Sequence, residues 1–307
     1  MAILYAALTG LPRLERGEAE AAGLARLPVL EGLLSRGSRL PPAPDWRRWV
    51  LGVAGLSAAA GDLPLGRFAA AAHGLAPARE ETWLLASPVR LRPGTTSVRL
   101  EREVRLDAAG AGALAARFNA DWQGEPWTLA AAGTALVLRH PQPLGLATQD
   151  PALLVGQDIG VALPAGADGP RLTRLMTEIQ MWLHANGIAG DANALWLWGA
   201  GREALRGTAA WPALGEFDPP LAAARACHPG VAPAAGEIRA VSVAAWLAGG
   251  ADLAALDAAF AADLEARLAR GDLARAFVHH DGAVYALRRR DRLRRWRRVR
   301  PWWELGA

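Results

Sequence analysis

Residues 171–202 read RLTRLMTEIQMWLHANGIAGDANALWLWGAGR, and this stretch decides the fold class. Leu172, Leu175, Met176, Ile179, Trp182 and Leu183 recur at helical spacing while Arg171, Arg174 and Glu178 lie opposite, so an amphipathic helix runs from Arg171 to Asn186. Thr173, Thr177, Gln180 and His184 stand at i, i+4, i+7 and i+11 and form an uncharged polar stripe beside the apolar face. Asn186-Gly187 turns the chain. Ala194-Leu195-Trp196-Leu197-Trp198 reads as a buried strand by its continuous hydrophobicity, and Gly199-Ala200-Gly201-Arg202 follows it as a tight turn.

The same mixture extends in both directions. On the N-terminal side, Thr134 to Arg139 reads as a strand ahead of a Pro/Gly-punctuated stretch from Pro141 to Pro170. Val98, Leu100, Arg102, Val104 and Leu106 alternate with charged residues as in a half-buried strand, and Asp107 is placed to cap the Ala-rich helix that runs towards Phe118. Ala2 to Leu8 is a short buried strand, broken by Thr9-Gly10-Leu11-Pro12. A helix around Val29 to Leu34 stops at Arg36-Gly37, and Pro41, Pro42 and Pro44 make a loop before Trp46 to Leu56 resumes apolar structure. On the C-terminal side, Glu237 to Ala244 is a strand, and a helix from Leu253 to Arg270 lines up Leu256, Phe260, Leu264 and Leu268. Ala276 to His280 and Ala283 to Leu287 flank Asp281-Gly282, the signal of a type I′ hairpin. Strands and helices interleaved along the whole chain predict an α/β layer architecture.

The chain has 307 residues, about twice the usual single-domain length. Its apolar fraction of 52% is dominated by alanine, but 13 Trp beside abundant Leu and Val supply a real core. The longest uncharged apolar stretch of the C-terminal half, Ala240 to Ala251, is far short of the roughly 20 residues of a spanning helix. Met1 to Gly10 lacks the basic leader of an export signal. One cysteine, Cys227, excludes an internal disulfide, and a cytoplasmic location is expected. All 34 basic residues are Arg, and the net charge is only +4. Nine of those Arg and one Asp fall between Arg288 and Arg300, giving this segment +8 and leaving −4 for everything else.

Several groups have chemistry to weigh. The turn from Trp198 to Arg202 has the glycines of an anion-binding loop but not G-x-G-x-x-G, so a plain tight turn is the better reading. His184 has no second histidine or carboxylate on its stripe. His279 and His280 are adjacent in a strand and point to opposite faces, which unsuits them to serve one ion. In the C-terminal segment, guanidinium groups suit phosphates and indoles suit bases. Anionic lipid or an acidic protein would use the same groups. The reading preferred here docks Leu293, Trp296, Trp302 and Trp303 on the core and leaves the arginines available.

Thr177-Glu178-Ile179-Gln180-Met181-Trp182-Leu183-His184 and Asn193-Ala194-Leu195-Trp196-Leu197-Trp198-Gly199-Ala200-Gly201 resemble the N-E-x-Q-M-L-L-H and N-S-L-W-L-W-G-G-G signatures of the RpfE-type regulatory proteins, bacterial proteins often labelled phosphoglycerate mutase. Trp83 to Leu91 resembles their W-L-x-A-D-P-V-H-L, and Trp296-Arg297-Arg298 their Arg/Trp ending. Thr177 replaces Asn, Ser87 replaces Asp and Arg90 replaces His. The skeleton is also similar to archaeal-type cofactor-independent phosphoglycerate mutases of the alkaline-phosphatase superfamily: Pro28 to Gly37 resembles T-P-N-L-D-x-L-A-x-x-G, Asn193 to Gly201 resembles A-N-x-x-L-x-R-G-x-G, and Gln149-Asp150-Pro151 resembles T-D-P-H.

That resemblance implies an alkaline-phosphatase-like layered sheet core with a small α+β insert. Residues 1–94 would be the first part of the core, 95–185 the insert, 186–287 the second part of the core and 288–307 an Arg/Trp-rich C-terminal segment. The enzymes' chemistry needs two metal ions on Asp and His and a nucleophilic Ser. Here Thr9-Gly10 takes the place of the first metal Asp, Pro41 to Trp49 holds no Ser or Thr, Val278-His279 is not followed by the Asp and second His, and Trp198 replaces the Arg of R-G-x-G. The expectation is a non-catalytic regulatory or binding protein without metal or cofactor. The alternatives are a metal-dependent cofactor-independent phosphoglycerate mutase or phosphatase, and a nucleic-acid accessory protein acting through the Arg/Trp tail. Candidate ligand-binding residues are Thr177, Gln180, His184, Asn193, Trp198, Gly199, Gly201 and Arg202, expected to line the principal cleft; candidate anion-binding residues are Arg294, Arg295, Arg297 and Arg298. The expected partners are an unidentified protein or phosphorylated ligand, with nucleic acid through the C-terminal segment and no membrane.

Overall fold

The computed structural model describes residues 2–9, 26–43, 45–95, 97–187, 190–215, 218–230, 235–243 and 252–306. The expected break at residues 10–12, Pro44 and most of the apolar stretch 240–251 lie outside them. In chain order the elements are β1 (Ala2–Thr9), α1 (Pro28–Arg36), β2 (Ser38–Arg39), α2 (Trp46–Val53), β3 (Leu56–Ser57), α3 (Leu65–Ala72), β4 (Thr82–Pro93), β5 (Val98–Glu103), α4 (Ala108–Asp121), β6 (Thr128–Ala132), β7 (Ala135–His140), α5 (Gly169–Asn186), β8 (Ala194–Trp198), β9 (Arg206–Gly207), β10 (Ala213–Leu214), α6 (Pro219–Cys227), β11 (Glu237–Ser242), α7 (Leu253–Leu256), a π turn (Asp257–Ala261), α8 (Ala262–Arg270), β12 (Leu273–His280) and β13 (Ala283–Leu287). The protein is thus a mixed α/β chain with several sheets. No helix among the described residues is long and apolar enough to cross a membrane.

Two compact units divide the chain, one formed by Met1–Ser57, Gly207–Asp218 and Gly230–Ala307, the other by Ala58–Arg206 and Pro219–Pro229. These bounds differ from those of the four segments drawn from the sequence.

The first unit holds a six-stranded sheet in the order β10-β11-β1-β12-β13-β2. β10, β11, β1 and β12 run parallel, and the hairpin β12–β13 adds an antiparallel edge completed by β2. Asp281 at φ 43° and Gly282 at φ 76° make the hairpin turn, as the Asp-Gly pair predicts. Leu4, Ala6 and Leu8 of β1 and Ala276 and Val278 of β12 share one core cluster with Leu30 and Leu34 of α1, Phe260 of the π turn and Leu264 and Leu268 of α8. Two buried acids fix α1 in this core, one distant in sequence and one on the helix itself. Asp257 accepts the amides of Val29 (3.0 Å) and Leu30 (2.8 Å), which lie in the first turn and have no partner inside the helix. Glu31, fully buried, accepts Arg26 Nε at 2.8 Å. The buried guanidinium of Arg47 is matched by Asp218, with Nε to Oδ2 and Nη2 to Oδ1 both at 2.9 Å, a bidentate pair that offsets its desolvation.

The second unit is built on an antiparallel sheet, β5-β4-β7-β6, with β8 also paired to β4. The twelve residues of β4 organise it, facing β7 with Thr82–Leu85, β8 with Leu85–Val89 and β5 with Val89–Pro93. β8 is buried at all five positions, as its sequence predicts, yet runs antiparallel to β4. A strand covered on both faces looks the same in sequence whichever way its neighbour runs. Asp107 caps α4 by accepting the Gly110 amide at 2.7 Å. α5 buries Leu172, Leu175, Ile179 and Leu183 against Leu195 and Leu197 of β8, and ends at Gly187 with φ 61°, a left-handed stop that suits glycine.

Candidate functional site

In the second unit, the stretch 193–202 turns its polar atoms towards the protein. Asn193 clamps β8 to β4, its Oδ1 accepting the Leu91 amide (2.7 Å) and its Nδ2 donating to the Leu91 carbonyl (2.8 Å). Trp196 Nε1 donates to the Gln149 carbonyl at 2.8 Å and Trp198 Nε1 to Ser87 Oγ at 2.9 Å. In the glycine turn, the Gly199 amide donates to Thr148 Oγ1 (2.9 Å) and the Gly201 amide to the Leu63 carbonyl (3.2 Å). A Cβ at Gly201 would stand 2.0 Å from the Asp62 carbonyl oxygen, so the close approach of two backbones requires glycine there. With both amides engaged, neither glycine offers the free N–H groups of a phosphate cradle. Arg202 is exposed.

Sequence reasoning missed the pair that holds this turn. Thr148 Oγ1 donates to the Asp62 carboxylate, which also accepts the Thr148 amide at 3.1 and 3.0 Å. A hydroxyl on a carboxylate suggests a nucleophile and base, but the carboxylate is already satisfied by N–H donors and the hydroxyl oxygen by Gly199, which makes the group a staple between loops. The two stand 86 positions apart in the chain, so no local signal links them.

The stripe on α5 faces outward. Thr177 and His184 are exposed, Gln180 is half-buried, and Thr177 Oγ1 donates to the Thr173 carbonyl of its own helix at 3.1 Å. A cavity of about 300 Å³ in this unit is lined by Val104, Arg105, Leu106, Gly110, Leu114, Gly190 and Asp191, none of them a sequence candidate. α5 and β8 meet through their apolar faces rather than through the stripe.

In the first unit, the C-terminal ends of the parallel strands bring Thr9 of β1 beside Ser242 of β11, with Leu8 and Ala7 opposite His280 and His279 of β12. This is the edge at which open α/β sheets bind ligands. The two histidines leave the sheet on opposite faces. His279 Nε2 donates to the Ala43 carbonyl (2.6 Å), with the Trp49 ring 5.6 Å away; His280 Nε2 donates to the Trp302 carbonyl (2.9 Å). Because a carbonyl only accepts, Nε2 carries the proton in both rings and the buried Nδ1 atoms, which have no partner, keep bare lone pairs. A dimetal centre needs carboxylates and imidazoles converging on one point, and these residues do not fit one: the histidines diverge, and Thr9 stands at the end of β1. Among the described residues no three His, Cys, Asp or Glu side chains form a group able to hold a metal.

Burial depresses the pKa of His279, against the Ala43 hydrogen bond, and depresses that of His280, against the one to Trp302. The folded chain therefore binds these protons more weakly than the unfolded chain, whose imidazoles titrate at about 6.5. Their contribution to stability is complete above that value and is lost as the pH falls below it. The unfolding midpoint is expected to drop between about pH 6.5 and 5.5, and His280→Asn to flatten the drop. His140, buried in the second unit, is depressed for the same first reason and adds to the slope. A midpoint independent of pH across this window would contradict the assignment.

The C-terminal segment is only partly docked. Trp302 and Leu305 are fully buried and Trp303 half-buried, but Leu293 and Trp296 are 66% and 78% exposed, which corrects the expectation that all four pack on the core. Asp291, itself buried, accepts the Arg288 amide (2.8 Å) and pairs with Arg294 (3.3 Å). Arg294 Nη1 donates to the Arg36 carbonyl and Ser38 Oγ, both at 3.2 Å, and Arg297 Nη1 to the Gly37 carbonyl at 2.5 Å. Two of the four candidate arginines thus serve the negative end of α1, where cations are favoured. Arg295 and Arg298 are exposed.

No family model matches the chain, and no curated protein matches it. Among solved structures it aligns with a cofactor-independent phosphoglycerate mutase from Thermoplasma acidophilum DSM 1728, at 13% identity and a TM-score of 0.34, over 94% of this chain and 89% of that one. It also aligns with the PH0037 protein from Pyrococcus horikoshii, at 13% identity and a TM-score of 0.40, over 93% and 86%.

Proposed function

We propose that this chain is a cytoplasmic regulatory or binding protein on a phosphoglycerate-mutase-like, alkaline-phosphatase-type core, and that it does not transfer phosphoryl groups. The observation carrying this reading is the pair His279 and His280, which diverge from the sheet and each spend Nε2–H on a backbone carbonyl. Those imidazoles hold a loop and the C-terminal segment in place. The sequence supports the same reading, since Thr9 takes the place of a metal carboxylate and residues 41–49 offer no hydroxyl nucleophile. The purified protein is expected to show no interconversion of 2- and 3-phosphoglycerate with Mn²⁺ or Mg²⁺ supplied. Metal-dependent turnover that His279→Ala abolishes would replace this reading with that of a working mutase or phosphatase.

A further inference from the structure

We infer that residues 289–300 form a docking strip for an anionic lipid surface, with phosphate-bearing headgroups as its ligand chemistry. Leu293, Trp296 and Val299 are 66%, 78% and 37% exposed, three large apolar side chains within seven residues. Around them the side chains of Arg289, Arg290, Arg292, Arg295 and Arg298 are exposed and make no hydrogen bond or ion pair among the described residues. The segment is nevertheless held in its middle by Arg294 and Arg297 on the end of α1, and just beyond its C-terminal end by Trp302 in the core. It therefore presents unpaired guanidinium groups and unburied apolar groups side by side.

The apolar residues choose the occupant. Single-stranded nucleic acid needs successive π faces, and the strip exposes one, because Trp302 is buried and Trp303 packs edge-on against it at 82°. Leu293 and Val299 have no π face to offer. At a lipid surface all three insert into the boundary between headgroups and acyl chains while arginines pair with phosphates, and a charge of +8 in thirteen residues on an otherwise acidic chain directs that segment to the surface. The expectation of no membrane partner rested on the lack of a spanning helix, and a strip that lies on a surface needs none.

Flotation of the full chain with vesicles tests this. Binding to vesicles containing phosphatidylglycerol is expected, about tenfold weaker to phosphatidylcholine alone, and weakened by salt. Leu293→Ser combined with Trp296→Ser is expected to reduce binding by about tenfold without loss of folding, since both side chains are exposed. Failure to float with the anionic vesicles at low salt would overturn the inference, as would a double variant that floats like the parent. Binding to a single-stranded oligonucleotide without binding to vesicles would assign the strip to nucleic acid, and self-association lost in the double variant without vesicle binding would assign it to a second copy. The phosphoglycerate assay bears on the histidines alone, so either result there leaves this test intact.

Discussion

Trp302→Ala is expected to lower folding stability by about 3–5 kcal/mol, while Leu293→Ala and Trp296→Ala each change it by less than about 0.5 kcal/mol. The contrast follows from exposure: Trp302 is at 0% and the other two at 66% and 78%. Trp302 also sits at a junction of buried polar groups. Its amide donates to Glu31 Oε1 (3.2 Å), its carbonyl accepts His280 Nε2 (2.9 Å), and three residues later the Leu305 carbonyl accepts the Tyr285 hydroxyl (2.6 Å). Losing the indole leaves a cavity in the cluster that contains Leu27, Leu30 and Leu34, and loosens the backbone that satisfies the buried histidine and tyrosine. Truncation after Leu287 should be worse, because it strands His280 Nε2–H and Tyr285 O–H as well. Urea unfolding of the variants reads both effects. A Trp302→Ala midpoint equal to that of the parent would mean that the end of the chain is not docked.

Elements with strong local codes were legible before the structure. The α5 periodicity, the Asp107 cap, the Asp281-Gly282 hairpin and the buried run of β8 each rest on a signal contained in a few residues. β6 was missed because its sequence, TLAAA, neither alternates nor carries the β-branched weight of a strand; it forms because Gly133 at φ 65° turns it onto β7. The partner and direction of β8 were not legible either, since they depend on β4 about a hundred residues away. The site was harder. An acid such as Asp257 looks like any surface carboxylate until the fold brings it to an orphan amide 227 positions away. The tail misled for a related reason: four apolar residues among arginines read alike, but only Trp302 and Trp303 stand in the short 3₁₀ helix after Pro301 that packs on the core.

Trp196→Ala is the second large effect, again about 3–5 kcal/mol. Trp196 is 1% exposed within a strand whose five residues are all buried, and its Nε1–H is bonded to the Gln149 carbonyl at 2.8 Å. The substitution removes one of the two indoles of β8, the more deeply buried of them, and with it the hydrogen bond to the Gln149 carbonyl. Trp198→Phe is the discriminating companion. It keeps a ring in the site and removes the hydrogen bond to Ser87 Oγ, so a loss of at least about 1 kcal/mol is expected. Asn193, which clamps Leu91 on β4 through both its amide atoms, supports the same edge of β8. If these positions exist to bind a ligand, substituting them should alter binding more than folding. If they exist to join β8 to β4, the unfolding midpoint should fall in the order of their burial, Trp196 before Trp198. A stable, cooperatively unfolding Trp196→Ala protein would show that residues 193–202 serve some purpose other than packing.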